Sequence, residues 1–267
     1  MDSPIGIAIA LVAVLVSAVM EGTSPASFVN VSAILIIFGG TFGAAIASYS
    51  LQEFTAVPRL VALSARPRTS NVTELRATLV GFAEQARREG LLSLESAAER
   101  VADPFVRRGL QMVIDGLEPD TVEEILEIDI EATQRRHQKG ISLFQSMGGY
   151  APTMGIIGTV MGLVSVLSHL SDPGHLGESI AVAFIATLIG ISSANILWLP
   201  IASNLRQKDA AETAERRMAM VGIMAIQAGE NPRIVSQKLS GFGVSQPAER
   251  APGGEASGGT SAAEEAA

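Results

Sequence analysis

The sequence predicts an all-α integral membrane protein with four transmembrane helices and a cytoplasmic helical domain between spans two and three. Three observations carry that prediction. Of 267 residues, 48% are hydrophobic but only 4% aromatic, a balance of aliphatic runs rather than of a soluble core. Four of those runs carry no charge in their interiors and approach or exceed the length that crosses a bilayer, about 20 residues with a range of about 17–25. All 19 Lys and Arg fall within 52–146 and 204–267, and a bias of that kind places both segments in the cytoplasm.

The first run is IGIAIALVAVLVSAVM, residues 5–20. A cleaved signal would begin with a positive stretch, and MDSP has none, so a retained span is expected. The second run, 29–51, follows the short polar loop EGTSPASF and completes a transmembrane hairpin over 1–51. A second hairpin, 147–203, holds GGYAPTMGIIGTVMGLVSVLSHL and ESIAVAFIATLIGISSANILWLPIAS, joined by SDPGHLG, which has no Lys or Arg. Both termini are then cytoplasmic, the outer loops are very short, and the chain is a multi-pass membrane protein.

Segment 52–146 reads as a cytoplasmic helical domain. SNVTEL has the form of a helix start, and Leu75, Leu79, Phe82 and Ala86 follow at helical spacing until Gly90 stops the run. Asp103-Pro104 restarts the chain. Glu118-Pro119-Asp120 caps a long amphipathic stretch that heads towards span three, and its charges read as a solvated face. Residues 204–243 read as a cytoplasmic helical extension. Residues 244–267, rich in Gly, Ala, Glu and Pro, read as a disordered tail.

Several functions are excluded by what is missing. There is no cysteine, and His137, His169 and His175 do not have metal-ligand spacing, so no metal site is expected. No nucleophile–base pair or phosphate loop suggests an enzyme or a cofactor. A net charge of −8 without a basic patch argues against nucleic acid. No ionisable residue sits deep in any span; His169, Asp172 and Glu178 fall at the outer edge. Ion transport needs such a group in the membrane. If this chain conducts ions, a partner must supply the carboxylate.

Small residues dominate the second hairpin. Gly155, Gly158 and Gly162 share one face, and Ala183, Ala186, Thr187, Gly190 and Ala194 line a similar face of span four. Such faces let helices approach closely, either between spans of one subunit or with a second protein. Pro152 and Pro200 both fall near the inner ends of their spans. In a first turn Pro152 would be harmless. Pro200 has no such placement if the helix continues through Ala202, and two kinks at one depth would form a joint.

Taken together, YAPTMGIIGTVMGLV, ATLIG, LWLPIASNLRQK and RREGLLSLE resemble the flagellar-motor stator A subunits of the MotA/PomA family. The similarity runs from span one to about residue 240. The TolQ/ExbB subunits, which energise envelope processes, share the pattern of spans three and four but have one span before the inner domain. The hairpin 5–51 therefore favours the stator. The resemblance implies five copies around two single-span, peptidoglycan-binding B subunits. Their aspartate carries the ion inward while the ring of A subunits pushes on a FliG-like rotor protein.

Carried over residue by residue, Pro152 and Pro200 match the family's functional prolines. Arg87 and Glu95 match its rotor-facing charges, with Arg88 adjacent. Gly155, Gly158, Gly162, Ala183, Ala186 and Gly190 would make room for the partner helix. Thr159 and Thr187 match ion-pathway positions, and hydroxyls at both follow the sodium-driven pattern, the first being alanine in proton-driven members. Na+ is thus favoured over H+, although a threonine in a membrane helix can also simply bond its own backbone.

Overall fold

The structure is a computed structural model that describes residues 2–22, 24–67, 72–168 and 173–242. All regular structure among them is helical. Helix α1 is Asp2–Met20, and α2 is Val31–Ser48. Two short helices follow, α3 (Leu51–Thr55) and α4 (Val57–Ala65). Then come α5 (Val72–Glu89), α6 (Glu95–Ala98) and α7 (Pro104–Ile114). The long α8 is Pro119–Ser168. The equally long α9 covers 173–227 as Pro173–Ser193, a π turn at Ala194–Trp198 and Leu199–Gln227. Helix α10 is Pro232–Ser240. Three helices are long and apolar enough to cross a membrane, on α2, α8 and α9; the apolar part of α1, Ile5–Met20, is shorter.

Local chemistry sets the breaks. Asn30 Oδ1 accepts from the Ala33 amide at 2.9 Å and starts α2. Ser50 and Glu53 form a capping box at α3. Gly90, at φ +82°, ends α5, because a side chain there would strain the left-handed backbone. Asp103 accepts from the Phe105 amide at 2.8 Å and opens α7 at Pro104.

Neither long helix breaks where the apolar pattern gives way to the charged one. The 50 residues of α8 span about 75 Å at 1.5 Å per residue, so one rigid element carries both an apolar end and a charged end. Hydropathy changes near 147 and 203, yet Gly148, Gly149, Pro152 and Pro200 do not end the helices there. Pro152 therefore lies well inside α8, and the first-turn placement weighed for it does not hold.

The two long helices string together two cores. One is built by Leu79, Phe105, Leu110, Leu126, Ile130, Ile223 and Leu239, from α5, α7, α10 and the charged ends of α8 and α9. The other is built by Ile37, Phe144, Met147, Ala186, Trp198 and Ile201, where α2 packs against the apolar ends. Leu75, Phe82 and Ala86, expected on the apolar face of α5, pack partly buried against the first core, and Leu79 is fully buried.

Candidate functional site

The apolar halves of α8 and α9 run antiparallel, and their small residues set how closely. A Cβ on Gly155 would meet the Ala186 carbonyl oxygen at 3.0 Å and Gly190 Cα at 3.3 Å. On Gly158 it would meet Ala186 Cβ at 2.8 Å, on Gly162 Ala183 Cβ at 2.7 Å, and on Gly190 the Ala151 oxygen at 2.7 Å. The stripe foreseen from the sequence thus packs the apolar halves of α8 and α9 of one chain at near-backbone distance.

That close approach brings two hydroxyls together. Thr159 Oγ1 contacts Thr187 Oγ1, and it also lies 2.9 Å from the Ala183 oxygen and 3.1 Å from the Gly155 oxygen. Thr159 has one hydroxyl hydrogen, so it cannot donate to all three. A consistent arrangement has Thr187 donating to Thr159, and Thr159 donating to one of the two carbonyls. Four oxygens without a formal charge then converge at a half-buried position. Hard cations prefer such oxygen ligands. Among the described residues no cluster of His, Asp and Glu could hold a metal ion.

The prolines stand at one level. A Cβ on Gly148, one turn before Pro152, would meet Leu199 Cδ2 at 2.6 Å, and Leu199 precedes Pro200. Pro152 cannot donate to the Gly148 carbonyl four residues earlier. At Pro200 the chain solves the same problem with a π turn: the Leu199 amide reaches five residues back, to the Ala194 oxygen. The helix does continue through Ala202, and the widened turn gives the proline ring its place.

What surrounds this turn was not foreseen from the residue pattern. Trp198, 5% exposed, packs on Phe38, Phe42 and Phe144 with ring centroids 6.2, 5.9 and 6.4 Å away. Phe38 itself lies in a second π turn, Leu35–Gly39. Trp198 Nε1 and the fully buried Thr41 Oγ1 have no hydrogen-bond partner. The available signal was a lone Trp two residues before a proline.

The charged candidates lie elsewhere, on the surface of the helices that build the other core. Arg87 and Arg88 occupy the last turn of α5, and Glu95 opens α6; all three are exposed and make no ion pair among the described residues. The turn between them is firm: Gln85 Nε2 donates to the Ser93 oxygen at 2.8 Å and Leu94 is buried. His169, Asp172, the Glu178 side chain and the tail 244–267 lie outside the described residues.

Comparison with known proteins follows this geometry. Residues 97–218 match a family model described as the MotA/TolQ/ExbB proton channel family. The chain is 38% identical to motility protein A of Bacillus subtilis over 238 residues, 89% of this chain and 88% of the relative. It is 34% identical to chemotaxis protein PomA of Vibrio alginolyticus over 230 residues, 86% of this chain and 90% of the relative. The solved flagellar MotAB stator complex from Bacillus subtilis superposes with a TM-score of 0.84 at 38% identity, over 89% of this chain and 93% of that one. The C. jejuni MotAB structure gives a TM-score of 0.87 at 28% identity, over 92% of this chain and 97% of that one.

Proposed function

This chain belongs to the MotA/TolQ/ExbB proton channel family, and from that premise we propose that it is a flagellar-motor stator subunit that passes Na+ in preference to H+. The observation that carries the ion assignment is the meeting of Thr159 and Thr187 beside the Ala183 and Gly155 carbonyls. A sodium ion must exchange water for oxygens of similar hardness, and four are gathered here. A proton needs only a titratable group, which this chain does not place at this level among the described residues, so these neutral oxygens would have no use in a proton path.

The chain is a motor channel subunit of the membrane, not an enzyme. We assign the missing carboxylate to the aspartate of a single-span, peptidoglycan-binding B subunit, since the matched structures are MotAB complexes. Five copies of this chain would surround two of the partner, with both termini cytoplasmic. The ion passes inward from the aspartate to the threonine level, and the joint at Pro152 and Pro200 turns ion release into a tilt of α8 and α9. Because both helices run unbroken into the second core, that tilt is carried to the turn bearing Arg87, Arg88 and Glu95, which would meet the rotor. The hairpin formed by α1 and α2 supports this reading over a TolQ/ExbB-like envelope role.

Swimming speed tests the proposal, in a deletion strain complemented with this gene and titrated with external Na+ at fixed pH and ionic strength. Speed rising with Na+ is the expected result. Restored but Na+-independent swimming would make the ion a proton.

A further inference from the structure

A cavity of about 180 Å³ opens between α4, α8 and α9, away from the threonine level. Its floor is apolar: Ile141 and Leu205 belong to the membrane core, Leu60 packs against it, and Leu63 is 48% exposed. Its rim is ionic, and the acids there are already matched. Asp209 Oδ1 lies 2.8 Å from His137 Nδ1, and Glu212 pairs with Arg216 at 3.1 Å. Lys208 Nζ donates to the carbonyls of Leu63, Ser64 and Arg66 at 2.6, 2.8 and 2.7 Å, which pins the end of α4 to α9. The Arg66 guanidinium is exposed and makes no ion pair among the described residues.

The level of the cavity decides what fills it. The Tyr49 hydroxyl meets Ser146 Oγ at 2.7 Å and the Tyr150 hydroxyl meets Ser48 Oγ at 2.9 Å, where α2 ends. Tyrosines concentrate at the headgroup level of a bilayer. Ile141 lies below Ser146 along α8 by about 7–8 Å at 1.5 Å per residue, and each headgroup layer is about 5–8 Å deep. An unpaired guanidinium above an apolar floor, at that depth, matches the two ends of one molecule. We infer that this cavity binds a glycerophospholipid, its phosphate on Arg66 and its glycerol and ester groups over Leu60 and Leu63. Guanidinium and phosphate pair through two parallel hydrogen bonds. A free phosphate would leave the apolar floor wet. The inference stands apart from the stator reading and needs only that this level is a membrane–water interface, on whichever side of the bilayer.

The test uses the complex purified from membranes and stripped of lipid in detergent. Its thermal unfolding is followed with added phosphatidylglycerol in mixed micelles or with inorganic phosphate, for wild type and for Arg66→Ala. Phosphatidylglycerol should raise the wild-type midpoint by about 3 °C or more, Arg66→Ala should lose most of that shift, and inorganic phosphate should produce none. An equal shift in Arg66→Ala would mean only general solvation by lipid and would overturn the site. So would an equal shift from phosphate, or no shift at all. Native mass spectrometry should show retained phospholipid in wild type and a several-fold loss in the variant.

Discussion

Gly190 stands so close to Ala151 that a Cβ on the glycine would lie 2.7 Å from the alanine's carbonyl oxygen. All three obstructing atoms nearby, that oxygen and the Cα and N of Gly155, are backbone, and cannot swing aside. Gly190→Ala should force α8 and α9 apart and destabilise the fold by about 1–3 kcal/mol. Gly148→Ala is the control. Its obstruction is the end of the Leu199 side chain, which can change rotamer. Unfolding midpoints and the amount of protein in membranes should separate the two, with Gly190→Ala the lower. If both behave alike, backbone proximity at this crossing is not what limits the packing.

The hydroxyl pair gives a graded prediction. Thr159→Ser keeps the oxygen that meets Thr187 and the Ala183 carbonyl, whereas Thr159→Ala removes it. If these oxygens replace the hydration of Na+, the serine variant should swim with the sodium dependence of wild type. The alanine variant should lose sodium-dependent torque while still assembling with its partner. A buried hydrogen bond contributes about 0.5–1.5 kcal/mol, so neither change should unfold the chain. Normal swimming by Thr159→Ala would remove the hydroxyl from the ion path.

These two sites show how far the sequence could be read. The glycine stripe and Thr187 were legible because period and residue type place them on small-residue faces, whereas Thr159 was singled out by the family resemblance and only the packing shows that it meets Thr187. The helix start at Asp103-Pro104 and the stop at Gly90 were legible because each depends on neighbours a few residues away; the start expected at SNVTEL lies partly outside the described residues. The π turns at 35–39 and 194–198 were not. A π turn inserts one residue into the hydrogen-bond ladder and leaves the apolar pattern almost unchanged. Nor did the pattern show that α8 and α9 run unbroken from one core to the other, since solvent changes there and the glycines and prolines nearby read as breaks or kinks. Trp198 and its three phenylalanines are brought together only by the packing of α2 on those helices.

Trp198 is the one tryptophan in the chain and lies two residues before Pro200, so its fluorescence reports on the joint. Its ring is enclosed by Phe38, Phe42 and Phe144, and its indole N–H has no partner. Emission should be blue-shifted and poorly quenched by acrylamide. Pro200→Ala should restore a backbone donor and remove the steric reason for the π turn. The emission should then shift, and motility should fall without loss of stability. Unchanged emission in Pro200→Ala would show that the aromatic cluster holds the π turn without the proline.

Glu53 supplies a pH-dependent contact at the end of span two. Its carboxylate accepts from the Ser50 amide at 3.1 Å and lies 3.4 Å from Lys139 Nζ. The hydrogen bond from the Ser50 backbone, followed by partial desolvation acting the other way and by Lys139, holds its pKa below the ordinary 4.5. A carboxyl depressed in the folded state stabilises it above the unfolded pKa and ceases to do so as pH falls through the folded one. Wild type should therefore lose a small amount of stability below about pH 4.5 that Glu53→Gln does not lose. Glutamine keeps an acceptor for Ser50 but cannot titrate. Parallel acid curves for the two proteins would place the pH dependence elsewhere.

Arg87, Arg88 and Glu95 hold the reverse combination, charge with no structural use. They are exposed and unpaired among the described residues, on a turn kept rigid by Gly90, Leu94 and the Gln85–Ser93 hydrogen bond. Exposed charges contribute little to folding, and surface substitutions usually stay within about 0.5 kcal/mol. Charges presented on a firm turn suit steering of a charged partner. Arg87→Glu and Glu95→Arg should each leave the unfolding midpoint unchanged and reduce swimming, most strongly when combined with Arg88→Glu. Charge reversal on the facing surface of the rotor should restore part of the loss. A fall in stability would make the charges structural. Unchanged swimming in the combined variant would show that the rotor meets the stator at another face.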